Sequence, residues 1–363
     1  MLNFELDEEQ RMLKEAMDRF AREDMRKVFR DADEEGHVPD ETVRAGWEFG
    51  LLPSGIPESY GGFGEYSVLT GAVAMEALAY GDLAITLQIA APGLVALPIQ
   101  LDGTDEQKRT YLPRFCEEKP PRVSAALSEP RVQFDPFAQQ TVAVRQNGSY
   151  RISGYKGLVP LAESAEMLLV YAQQEGQTQA FIVPTETAGV QVEDREKLMG
   201  VRALPTFRVR LDDVQIPAEN RVGGEQGIQF ARILNHSRVA LGAAAVGLAR
   251  AGSEYARLYA KERVQFGEPI AHRQSIAFML AEMAIDVDAA RLMVWETAWK
   301  LDRGEDTTRE ARVMKHFVDE MVMQVADRTV QTLGGYGYVR EFPAELWLRN
   351  ARGFSSFDGL AII

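Results

Sequence analysis

The closing stretch ARGFSSFDGLAII carries one carboxylate, Asp358, set against Gly359 among aromatic and aliphatic residues. An acid in that setting can cap a helix, form a turn or take up a proton, and the stretch alone leaves all three open. Other chemistry is sparse. His37, His236, His272 and His316 are scattered, with no His-x-x-x-His or Glu-x-x-His spacing, so no metal site is expected. No Gly-x-Ser-x-Gly nucleophile turn is present. The glycine-rich GGYGYV follows a helical pattern instead of a strand, so it is not a dinucleotide fingerprint.

The elements that must position these residues sit in a chain of 363 residues, 46% hydrophobic and 26% charged, long enough for two or three cooperating domains. The net charge of −14, with no basic stripe, argues against nucleic-acid binding. A single cysteine, Cys116, allows no internal disulfide and points to a reducing compartment. The acidic, amphipathic N-terminal stretch MLNFELDEEQRMLKEAM is not a signal peptide. The most apolar window, Leu83 to Leu101, is interrupted by Pro92, Gly93 and Pro98. It reads as two buried helices joined at Ala91–Gly93 and not as a membrane span. A cytoplasmic protein is expected.

Three textures divide the chain at 1–120, 121–228 and 229–363. In the first, Leu6, Met12, Leu13, Met17, Phe20 and Met25 fall at helical spacing. DETVRAGWEFGLL and LTGAVAMEALAYGDLAI read as a second and a third helix, and Thr104 with Gln107 forms a capping box limited by Pro113. In the second, alternating stretches surround the turn signals QNG and EG, which predicts a β-rich domain. In the third, long helical patterns return, one of them small-residue-rich from Ala240 to Gly247. Three to four long antiparallel helices predict a four-helix bundle. The expected fold class is therefore α+β: a helical domain, a β-barrel-like middle domain and a helical bundle.

This order, with PESYGGFG, ERVQFGEPI, QTLGGYGY and the terminal FDGL, resembles the acyl-CoA dehydrogenase family from about residue 5 onward. The resemblance implies a flavoprotein that removes the α and β hydrogens of an acyl-CoA thioester. A carboxylate takes the proton, flavin N5 takes the hydride, and FAD is held between the subunits of a tetramer. It also implies an electron-transfer flavoprotein as acceptor. By the same resemblance, Asp358 stands at the position of the catalytic base, where the family usually has glutamate. Arg238, in LNHSR, would line the substrate end. Arg263 and Phe266 would contact the FAD diphosphate of a neighbouring subunit, the arginine by charge-assisted hydrogen bonds. Gln331, Gly334 and Gly335 would present side-chain and backbone donors to that flavin, and Gln274 would lie near the same interface. Ser128 is the retained hydroxyl of the flavin-facing strand.

The departures are grouped. LSEPRVQFD keeps Ser128, Glu129 and Pro130, but Arg131, Val132, Gln133 and Phe134 replace the family's small residues, which let backbone approach a ligand. GYKGLVP keeps Gly154 and Lys156, whereas Leu158 takes the aromatic position and Pro160 the hydroxyl position, without even a backbone N–H. Asp358 is one methylene shorter than glutamate, and a misplacement of about 1 Å can lower a rate roughly a hundredfold. The alternative base position of some relatives holds Ser237, which is no base. The residues for gripping the chain's own flavin ring are thus largely replaced, which speaks against own-site FAD binding. Those lent to a neighbour are kept. Two readings follow: a divergent flavin dehydrogenase, or a non-catalytic subunit completing a paralogue's FAD site in a mixed tetramer.

Overall fold

A computed structural model describes residues 4–64 and 66–363. The acidic N-terminal stretch begins at Met1, and its first three residues lie outside the described residues.

Helices α1 (Glu8–Phe20), α2 (Arg26–Glu35), α3 (Asp40–Trp47), α4 (Leu51–Gly55), α5 (Val68–Gly81), α6 (Leu83–Ala90), α7 (Gly93–Asp102) and α8 (Asp105–Tyr111) build the first part. Reciprocal capping boxes start α1 at Asp7/Gln10 and α8 at Thr104/Gln107, each satisfying two otherwise orphaned N–H groups. The apolar run read as one third helix is two. Asp82 adopts extended backbone, ends α5, and caps α6 by accepting the Ile85 N–H at 2.9 Å. Its burial pushes the Asp82 carboxyl up to about 6. Helices α6 and α7 meet at a 44° bend, and their apolar residues are buried in the core. Among the described residues no single helix is long and apolar enough to cross a membrane.

The middle part is a seven-stranded sheet: β1 (Val123–Ala126), β2 (Val142–Gln146), β3 (Ser149–Pro160), β4 (Met167–Gln174), β5 (Gln177–Pro184), β6 (Val190–Arg195) and β7 (Thr206–Pro217). Both expected hairpins form. Asn147–Gly148 and Glu175–Gly176 turn with φ of 50°, 76°, 49° and 82°, left-handed at both central residues, which matches the twist of the flanking strands. β1 runs parallel to β4, while β3 lies between β2 and β7.

The last part supplies three long helices, α9 (Phe230–Glu262), α10 (Gln274–Asp302) and α11 (Thr308–Leu333), with two short ones, α12 (Gly335–Tyr338) and α13 (Ala344–Ala351). Its fourth member, α13, has only eight residues, bounded by Pro343 and the Gly353 turn. The long helix that completes the packing is α5, from the first part, laid against α9 and α10. The small residues of α9 explain the fit. A Cβ on Gly247 would lie 2.3 Å from the Glu76 carbonyl oxygen and 2.9 Å from Ala79 Cβ. Beside that contact, the buried Glu76 carboxylate accepts from Arg250 Nη1 at 3.2 Å and Arg291 Nε at 3.0 Å. Arg250 also pairs with Asp18 of α1, so one ionic cluster ties α1, α5, α9 and α10 together.

Glycine to alanine inside a helix normally stabilises by about 0.5–1 kcal/mol. At Gly247 the sign should invert, because the added methyl meets backbone. Gly247→Ala is expected to destabilise the protein by about 1–3 kcal/mol in urea unfolding. A gain in stability would contradict the backbone contact.

Candidate active site

Asp358 lies on a loop that follows α13, passes through a single 3₁₀ turn at Phe354–Ser356, and reverses at Gly359. Phe354 and Phe357 are buried on either side of the turn, with ring centroids 5.5 Å apart, and anchor the loop from within. Gly359 has φ of +87°, and a Cβ there would stand 2.6 Å from Leu127 Cδ2. Only glycine lets the loop turn that sharply against the end of β1. Two hydrogen bonds staple it in place. Ser128 Oγ donates to the Asp358 carbonyl at 3.2 Å, and the Gly359 N–H donates to Ser237 Oγ at 3.2 Å.

The Asp358 side chain, 24% exposed, faces two cations. Arg238 Nη2, from α9, is 3.4 Å from Oδ2, and Lys315 Nζ, from α11, is 3.9 Å from Oδ1. Buried Oδ1 accepts no hydrogen bond, and buried Arg238 Nε donates none. One carboxylate oxygen is thus held by Arg238, while the other is buried without a hydrogen-bond donor. Lys315 is nearly buried and donates to both Asp319 oxygens, at 2.7 and 2.6 Å, and to the Phe354 carbonyl at 2.8 Å. Burial raises the Asp319 carboxyl, Lys315 pulls it down, and Asp358 pushes it up again. Sequence reasoning missed both residues. Their only local signal is an i,i+4 Lys–Asp pair, which is common on exposed helices.

Beyond the loop, Leu360, Ala361 and Ile362 are buried. The Ile363 carbonyl lies 2.8 Å from His236 Nδ1, which is also 2.9 Å from the Tyr66 hydroxyl. Burial drives the His236 ring down to about 4, so it is neutral at pH 7. A cavity of about 20 Å³ remains between Leu94, Phe230, Ser237 and Gly359. A larger apolar cavity, about 660 Å³, opens among the N-terminal helices on the other side of Ile362 and Ile363.

The retained motif residues of the β domain turn inward. Lys156 is fully buried and donates to Leu127 O, Glu129 Oε1 and Gln139 Oε1 at 3.1, 3.3 and 2.5 Å. Glu129 accepts the Gln140 and Thr141 N–H groups. Leu158, at φ of +52°, spends its N–H on Glu196 at 2.9 Å, and the Pro160 carbonyl accepts from Ser124.

The remaining predicted residues form a second cluster. Arg263 ends α9 with its guanidinium 5.3 Å from the Tyr336 ring, beside the exposed Gly334–Gly335 turn. Phe266 is 93% exposed, and Arg273 lies over its ring at 5.7 Å. Gln274 and Gln331 are exposed, at the start of α10 and near the end of α11. A Cβ on Gly334 or Gly335 would meet nothing within 4 Å, leaving an open backbone cradle. Arg238 and Arg263 are 25 residues apart on one continuous helix, about 37 Å at 1.5 Å per residue. The structure therefore brings Asp358, Arg238 and Ser128 together and keeps Arg263, Phe266, Gln274, Gln331, Gly334 and Gly335 away from them.

The descriptions "Acyl-CoA dehydrogenase, N-terminal domain", "middle domain" and "C-terminal domain" match residues 7–119, 124–214 and 226–361. The probable acyl-CoA dehydrogenase YngJ of Bacillus subtilis is 36% identical over 372 residues, which cover 100% of this chain and 97% of that one. The chain belongs to the acyl-CoA dehydrogenase family. The caffeyl-CoA reductase-Etf complex subunit CarC of Acetobacterium woodii is 30% identical, over 97% of this chain and 95% of its own. The butyryl-CoA dehydrogenase structure from Megasphaera elsdenii superposes with a TM-score of 0.90 at 30% identity, covering 98% and 96% of the two chains. These acyl-CoA dehydrogenase relatives support a flavin-dependent function of the same type. The residues fit FAD unevenly. The second cluster offers the Arg263 cation and the exposed Gln331 side chain for its diphosphate, although the Gly334 N–H is already given to the Gln331 carbonyl at 3.1 Å. On the β-domain side the Ser128 hydroxyl and the Leu158 N–H are spent within the chain, and Pro160 has no N–H to offer the flavin ring edge.

The His236 junction carries a pH dependence. The unfolded histidine titrates near 6.5 and the folded one at about 4, so its contribution to stability is complete above about 6.5 and is lost as pH falls through 4. Urea unfolding between pH 7 and 4 should show a shallower loss for His236→Phe than for the native protein. Parallel curves would place the acid sensitivity elsewhere.

Proposed function

We propose that the protein removes the α and β hydrogens of an acyl-CoA thioester, with Asp358 as the acceptor of the α proton. The observation that carries this is the unpartnered, buried Oδ1 of a carboxylate whose second oxygen is held by Arg238. A base needs reach before strength, and the loop staples from Ser128 and Ser237 hold the shorter aspartate in one place. When bound, FAD supplies the hydride acceptor. Arg263 and Phe266 would contact its diphosphate, Gln331 and the Gly334–Gly335 turn would offer donors to the cofactor, and Gln274 would lie near the same interface.

Because about 37 Å of α9 separates that cluster from Arg238, one chain would hold the cofactor of another. An exposed apolar stripe, Phe278, Ile285 and Leu292, repeats every seven residues on α10 and suits an intersubunit helix contact. A homotetramer fits this arrangement. An electron-transfer flavoprotein is the proposed acceptor, consistent with the Etf complex named for the Acetobacterium relative. A cytoplasmic location remains the expectation.

The test is a visible spectrum of the pure protein, followed by anaerobic addition of acyl-CoA substrates. A yellow protein that bleaches is expected, and Asp358→Asn should keep the colour and lose about 10²–10⁴-fold in bleaching rate. A colourless protein that cannot take up FAD would refute the reading.

The missing ring-edge donors favour a second reading, a non-catalytic subunit of a mixed tetramer that completes a paralogue's FAD site. Co-expression with an acyl-CoA dehydrogenase paralogue should then give a mixed complex whose FAD content drops with Arg263→Ala. No complex, or unchanged FAD, would dismiss it.

A further inference from the structure

We propose that Lys315, balanced by Asp319, is the positioning residue that holds the Asp358 loop in its working geometry. The proposal rests on the reading of Asp358 as the base. Lys315 stands where both ends of the loop converge. Its ammonium donates to the Phe354 carbonyl at 2.8 Å, where the loop begins, and lies 3.9 Å from Asp358 Oδ1, where it delivers its acid. The second distance is too long for a hydrogen bond but short enough for an electrostatic contact. Lys315 therefore orients the carboxylate without occupying the oxygen that must accept a proton.

A bare cation there would oppose that task, since a nearby positive charge makes a carboxylate a weaker base. Asp319, one helical turn along α11, offsets it with bonds of 2.7 and 2.6 Å. The charged groups around Asp358 are then Arg238 from α9 and the Lys315–Asp319 pair from α11, with Ser128 from the β domain on its backbone. The pair is close to neutral as a unit, so it fixes position and leaves Arg238 as the uncompensated cation. The Phe357 N–H donates to the Phe354 carbonyl and the Leu360 N–H to the Phe357 carbonyl, so a loop freed at Phe354 loses successive turns.

Two readouts on the full-length protein test this. In hydrogen exchange, Lys315→Met should speed the amides of Phe357, Gly359 and Leu360 on the order of tenfold while β4 and the middle of α11 keep their rates. Lys315→Arg should restore protection. In turnover, Lys315→Met should lower kcat about a hundredfold with little change in KM. Should the single variant fail to fold, Lys315→Met with Asp319→Leu leaves no carboxylate of the pair buried without its partner and should give the same selective loss. Unchanged loop protection, or a loss spread evenly over α11 and the sheet, overturns the proposal. The exchange experiment needs neither flavin nor activity, so a colourless protein would defeat the proposed reaction and still leave the loop clamp decided.

Discussion

The backbone contact between α5 and α9 governs the rest of the molecule. Gly247 allows the two helices to touch where a single methyl would stand 2.3 Å from a carbonyl oxygen. That closeness places Glu76 among Arg250 and Arg291 in a site with little water, where a carboxylate is tolerable only when it is fully paired. Once α9 is fixed against the N-terminal helices, its Ser237–Arg238 end lies beside β1, and the terminal loop has a wall to fold against. The position of Asp358 is thus a late consequence of packing set nine to ten residues away along the same helix.

Much of the architecture was legible from local signals. Asn147–Gly148, Glu175–Gly176 and the Thr104/Gln107 box act over two to four residues, and each appears where its spacing placed it. Asp82 was misread because an acid within a long apolar run carries no periodic signal, and Glu76 in the same run stays helical, yet the extended backbone of Asp82 splits the helix. The helix α5 was legible, but its place as the fourth long helix beside α9 and α10 was not. The pattern shows that a helix has an apolar face but not which partner covers it, and here α5 crosses over from the first part of the chain.

The candidate site was legible only in pieces. Asp358, Arg238 and Ser128 were picked out singly, and the structure gathers them. Lys315 meets Phe354 from 39 residues away and Asp358 from 43, so nothing in its own neighbourhood announces the meeting. Glu129 and Lys156 were visible as retained residues, but their inward direction was not. They lock β3 to the end of β1 and present nothing to a ligand.

The length of α9 has a consequence for concentration. If one end of the helix serves a chain's own carboxylate and the other serves a second chain's cofactor, no isolated chain owns a whole cofactor seat. Loading then becomes a matter of mass action between protein molecules, and dilution alone would strip the cofactor even though no side chain had changed.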